Sequence, residues 1–262
     1  MRTLKIVVLA TILATAAVAY TAEIPLNDTR LTVHTLVRED IFAGFLANDI
    51  ERLARAEKNI EVLLEKRPKE KPDLLAWKAG AMLYRAVLAH EKKQSAEFEQ
   101  KYKQVLALFA EARQIGPENG GAAAVTGGSY ILFADRLPKE HRAAGWETAY
   151  QSFQVLWAQQ GQIIDKLPVH LRGEVLGGLA QAALRTGRTK EANEYLDKIL
   201  AVLPGTPYEP IAKQWKANPK AAENSSIACM TCHEPGRLED RLTKLKAEKP
   251  KRYEELKASN DL

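Results

Sequence analysis

The chain is expected to be all-α, built of antiparallel helix pairs, and three observations carry that expectation. From about Val37 to Ala217 it is rich in Ala, Leu, Glu, Lys and Gln, which enter helices at little cost. No stretch alternates β-branched and polar residues for long enough to make a half-buried strand. Helix breakers fall at intervals, at Pro68, Pro72, Gly116-Pro117, Gly120-Gly121, Pro138, Gly161, Pro168, Gly187 and Pro204. Between them apolar residues recur every three or four positions, the period of a helix with one buried stripe.

The clearest single helix is Asp49 to Glu65, with Ile50, Leu53, Ala56, Ile60, Leu63 and Leu64 on its stripe. The most ordered pair lies at 173–206. There Leu176, Leu179, Ala180 and Ala183 occupy packing positions of a first helix, and Gly187 marks a turn. Ala192, Leu196 and Ile199 occupy those of a second helix, and Pro204 closes the unit. The small residues matter because helices approach closely only where side chains are small. Over its 34-residue period this unit resembles a tetratricopeptide repeat. Residues 37–70 give a fainter copy through Gly44, Ala47, Ala56, Ile60, Leu63 and Pro68. Trp77, Gly80, Ala81 and Tyr84 match another first helix, whose second helix (ending Phe109, Ala112, Pro117) arrives about 12 residues late. The region 120–168 holds one more helix pair in poor agreement with the pattern. The resemblance implies a solenoid over 37–206 whose concave surface docks a peptide or a partner protein.

Residues 207–224 read as a linker. Pro204, Pro207 and Pro210 argue against regular helix, a short helix fits Ile211 to Trp215, and Asn218-Pro219 and Asn224-Ser225-Ser226 read as turns. Beyond the break at Pro235-Gly236, Arg237 to Lys249 predicts one helix with Leu238, Leu242 and Leu245 on one face, interrupted by Pro250.

The N-terminus has the three parts of an export signal: basic Arg2 and Lys5, an apolar run from Ile6 to Val18, and small residues at Ala17-Val18-Ala19. Residues 1–19 are therefore expected to be removed, with a second cleavage position after Ala22. The apolar run is short for a membrane span, and no later stretch is long and apolar enough to cross a bilayer, so no stable transmembrane anchor is expected. The 38 basic and 33 acidic residues give a net charge of +5 without any long basic block, which speaks against nucleic acid as a partner.

The two cysteines of the chain stand in Cys229-Met230-Thr231-Cys232-His233. C-x-x-C-H is the attachment signature of c-type haem. Each thiol adds to one porphyrin vinyl group, and His233 becomes the proximal ligand of the iron. A zinc site would want further ligands, and there is no second cysteine pair. A thioredoxin-type pair needs a βαβ setting, and a disulfide across three residues would be strained. The expected cofactor is one covalent haem c on Cys229, Cys232 and His233. The expected location is the periplasm or another exported position in a bacterial cell envelope, where such haem is attached.

Residues 225–262 differ from the common small cytochromes c, which supply a downstream methionine to the other face of the iron. The 29 residues after His233 contain no Met, His or Cys, and too few apolar residues to wrap a haem. The candidates for the sixth ligand are His34, His90, His141, His170 and Met82, or else the iron is five-coordinate. The last case is similar to the cytochromes c-prime, which also carry a late motif in a helical setting. Trp77, Tyr84, Trp146, Trp157 and Trp215 read as core or as lining of a haem cleft, with Trp215 nearest the motif. No catalytic constellation stands out. The function expected is single-electron transfer to or from a partner protein rather than enzymatic turnover. The alternatives are a scaffold or assembly protein with an accessory haem, and a haem peroxidase or gas sensor with an open iron position.

Overall fold

The computed structural model describes residues 24–223, 225–227 and 236–248; the expected export signal and the Cys229 to His233 motif lie outside the described residues. Among the described residues every regular element is helical. In chain order they are α1 Val33–Ala47, α2 Ile50–Lys66, α3 Lys71–Glu91, α4 Ser95–Ile115 and α5 Gly120–Phe133. Then come α6 Lys139–Gln160, α7 Val169–Arg185, α8 Thr189–Val202, α9 Tyr208–Ala217 and α10 Arg237–Glu248. None of them is long and apolar enough to cross a membrane.

The helix boundaries follow local chemistry. Thr32 accepts from the Thr35 N–H and starts α1, which puts His34 in the first turn of that helix. Asn48 closes α1 in the left-handed region (φ 53°), and Asp49 at once caps α2 by accepting from the Arg52 N–H. Asp49 is thus the cap of the helix it was expected to begin. Gly187, at φ 76°, makes the tight turn between α7 and α8 that its place in the repeat-like unit predicts. Pro207 and Pro210 call for a correction: α9 starts at Tyr208 with Pro210 in its first turn, where helical N–H groups lack partners anyway. Gly120-Gly121, read as a break, instead opens α5, with Asn119 as its cap.

Sequential helices pack as pairs: α1 with α2, α3 with α4, α5 with α6, and α7 with α8. First helices also meet across pairs, α1 with α3, α3 with α5, and α5 with α7. One apolar core runs through the stack from Leu31 to Leu245. Glycines set the closest approaches. Phe153 of α6, fully buried, lies between Gly127 of α5 and Gly178 of α7.

The stretch between the repeat-like region and the motif is packed. Tyr208, Ala212 and Trp215 of α9 and Ala222 beyond it are buried. At the other end, the Arg67 guanidinium donates to the carbonyls of Leu31, Leu26 and Asp28 at 2.7–2.8 Å, fastening the leading segment to the end of α2.

Candidate functional site

A cavity of about 250 Å³ opens where α1, α3, α5 and α7 converge. α1 contributes His34, Arg38, Phe42 and Phe45, spaced three or four apart so that they share one helix face. Trp77 comes from α3, and His170, Leu171 and Glu174 come from the first turns of α7. α5 supplies a low wall of Gly121, Ala124, Val125, Gly128, Ser129 and Leu132. Gly121 is required there: a Cβ would lie 2.6 Å from His34 Nε2 and closer still to Asp73 Oδ1.

The polar groups of this cavity are specifically held. The Trp77 indole can only donate, and its Nε1–H points at His34 Nδ1 at 2.9 Å. That fixes the tautomer: His34 carries its proton on Nε2 and donates to Asp73 Oδ1 at 3.1 Å. Asp73 Oδ2 also accepts from the Asn119 amide at 3.2 Å. Burial pushes the Asp73 carboxyl upward, but the hydrogen bonds from His34 and Asn119 outweigh it and leave the group below its ordinary value. Glu174 behaves oppositely. Burial lifts its carboxyl to about 6, against the opposing pull of Arg38 and His34. His170 Nε2 faces Glu174 Oε2 at 3.4 Å, one helical turn along α7.

The chain on either side of the Cys229 to His233 motif is anchored to α7 and α1, two of the helices that also line this cavity. Before the motif, Ile227 is fully buried, and its N–H donates to Gln181 Oε1 of α7 at 3.4 Å. Ser226 Oγ donates to the same oxygen at 3.0 Å. One step earlier, the Trp215 indole donates to Ser225 Oγ at 2.9 Å. After the motif, Glu39 of α1 accepts from the N–H groups of Gly236 and Leu238 at 3.0 and 3.1 Å. A carboxylate there meets the positive end of α10, whose first N–H groups have no partner within the helix. Arg52 approaches Glu39 at 3.4 Å.

Cys229, Cys232 and His233 themselves lie outside the described residues. The structure separates the other candidate ligands. His34 and His170 line the cavity. His90 and His141 instead pack on the rings of Phe98 and Tyr102. Met82 is half-buried against the core and is not among the cavity residues. Of the aromatics, Trp77 lines the cavity, whereas Tyr84, Trp146 and Trp215 are buried core and Trp157 is half-buried. Sequence reasoning did not single out Arg38, Glu39, Asp73, Glu174 or Gln181. Each reads as an ordinary polar helix residue, and only the small residues of α5 hinted at a close approach. Among the described residues no group of three His, Cys, Asp or Glu side chains is placed to hold a metal ion.

No protein-family model, curated protein or solved structure matches the chain.

Proposed function

We propose that this protein is an exported monohaem c-type cytochrome that passes single electrons to or from a partner protein. The observation that carries the reading is the Cys229-x-x-Cys232-His233 motif, holding the chain's only cysteines, behind an export-type N-terminus. The donor set fits haem c: two thiols for the vinyl groups and an imidazole for the iron. The surroundings also suit it. Phe42, Phe45, Trp77 and Leu171 give the cavity an apolar wall. Bound haem supplies one-electron chemistry, while the chain's own residues ligate, bury and orient the group. Gln181 holds Ser226 and Ile227 before the motif, and Glu39 holds Gly236 and Leu238 after it. We read the stacked helix pairs as a tetratricopeptide-like solenoid that docks the partner; their helix lengths, from 14 to 22 residues through α8, are less regular than in a uniform repeat.

The test is expression of the full chain in a host competent in cytochrome c maturation. Acid–acetone extraction should leave the haem on the polypeptide, and Cys229→Ala with Cys232→Ala should abolish attachment. The purified protein should show a reversible reduced-minus-oxidised spectrum and exchange electrons with a small soluble cytochrome. Colourless protein from such a host refutes the reading. A second reading, a scaffold with an accessory haem, draws support from the stacked first helices; stable complex formation that survives loss of the haem would favour it.

A further inference from the structure

We propose that the cavity between α1, α3, α5 and α7 binds a small planar aromatic carboxylate, its ring in the apolar part and its carboxylate at the end where the four helices begin. All the residues involved lie among those described, and the inference is independent of the haem reading.

The cavity has two ends. Along α1 its lining runs from His34 and Arg38 to Phe42 and Phe45, polar in the first two turns and aromatic beyond. α5 runs the same way beside it. A Cβ on Gly121, in the first turn of α5, would meet His34 and Asp73, whereas one on Gly80 would meet both Phe45 and Ser129, two turns further along α5. Trp77 stands between the ends: its indole donates to His34, and its ring meets Phe42 edge-on with centroids 6.1 Å apart. Ala124, Val125 and Gly128 share one face of α5 and keep that wall low. A bare wall and aromatic rings around one cavity leave a slot, which a flat apolar ring fills with the least lost contact. At about 250 Å³ it falls below the range of about 300–1,000 Å³ that takes drug-sized ligands, so the body is one or two rings.

The polar end favours an anion. His34, Asp73, Gly121 and His170 sit in the first turns of α1, α3, α5 and α7, so four helices bring their positive ends there. Arg38 adds a full charge. A guanidinium has five N–H donors, so a ligand carboxylate joins its existing partners rather than replacing them. Two carboxyls belong to this end. Asp73 already accepts from His34 and Asn119, which hold it in the charged form. Glu174 is largely buried, and its carboxyl is lifted to about 6 against the pull of Arg38 and His34. Below that pH it is neutral and can donate to a ligand carboxylate; above it, its own charge repels the ligand and competes for Arg38. His170 is the other titratable group that α7 brings to the cavity, and α5 brings none.

The experiment is calorimetric titration of the purified full-length protein with benzoate and indole-3-acetate at pH 5.5 and pH 8, beside benzylamine, benzyl alcohol and cyclohexanecarboxylate. Each aryl carboxylate should fill one site and bind more tightly than any of the other three. Binding should be about tenfold or more weaker at pH 8 than at pH 5.5, and Glu174→Gln should bind more tightly than wild type at pH 8. Ala124→Leu fills the slot and should abolish binding while keeping wild-type helicity by circular dichroism. If that variant does not fold, Leu171→Glu carries the test: it puts a like charge at an exposed rim position and should weaken binding about tenfold. Cys229→Ala with Cys232→Ala should leave the affinity unchanged. Binding seen only in that double variant would show that haem fills the cavity, which overturns the inference. Absence of binding by either aryl carboxylate, tighter binding of benzylamine, or full affinity in Ala124→Leu or Leu171→Glu overturns it as well.

Discussion

Replacing Gly178 by alanine tests whether the helices are packed as closely as the structure requires. Elsewhere in a helix interior this change stabilises by about 1 kcal/mol, because alanine is the better helix former. At Gly178 the new Cβ would lie 2.5 Å from Phe153 Cε2 and nearer to two adjoining ring carbons, distances real Cβ atoms do not adopt. The ring has little room to shift, since Gly127 also crowds it: a Cβ there would lie 2.8 Å from the same carbon. Phe153 is fully buried, so its whole ring must shift, or α7 must move away from α6. Overpacking of this kind costs about 3 kcal/mol at the upper end of the usual range. Subtracting the helix-propensity gain leaves Gly178→Ala destabilised by about 2 kcal/mol, or about 4–8 °C in Tm for a chain of this size. Urea unfolding followed by circular dichroism measures it. A Phe153→Ala background isolates the cause. Phe153→Ala alone should cost about 3–5 kcal/mol, and adding Gly178→Ala to it should then be neutral or stabilising by up to about 1 kcal/mol. A Gly178→Ala protein as stable as wild type, or an equal penalty in both backgrounds, would refute the reasoning.

Three further predictions concern polar contacts between segments far apart in sequence. Glu39→Ala removes the acceptor of two N–H groups at the start of α10, a local loss of about 2 kcal/mol, so limited proteolysis should cut within 237–248 faster while total helicity hardly changes. Arg67→Met leaves three carbonyls of the leading segment without their donor and should lower global stability by about 3 kcal/mol, with Arg67→Lys recovering only part because an ammonium cannot reproduce the fork; urea midpoints check both. Asp73 has a folded-state pKa below its unfolded value near 3.8, so its contribution is present above that pH and is lost as pH falls through the lower folded value. Asp73→Asn should therefore be less stable at pH 7 and show a shallower loss below pH 4, and parallel stability–pH profiles for the two proteins would contradict this.

The helical pattern was legible because it is local. Period and breakers place α2, α7 and α8 within a residue or a few, and the Asp49 and Gly187 signals act through the backbone within four residues. Where local signals misled, the tertiary setting had the decisive part. Gly120-Gly121 breaks nothing, because a bare helix surface is what His34 and Asp73 need opposite them. Pro210 sits within a helix because its missing N–H falls in the first turn.

By itself the sequence determines that the chain is helical, that its apolar stripes must pair, and that its one thiol-pair motif has the spacing of a covalent haem site. These follow from backbone propensity and from bond geometry within a few residues. Only the tertiary structure decides which side chains meet. His34 and Trp77 are 43 residues apart, and Glu39 and Gly236 are 197 apart, yet each pair is within hydrogen-bond distance. The physical reason is that a polar residue on a helix carries no local record of its partner. Its role depends on which helix packs opposite, and close packing around small residues such as Gly121 and Gly178 sets that.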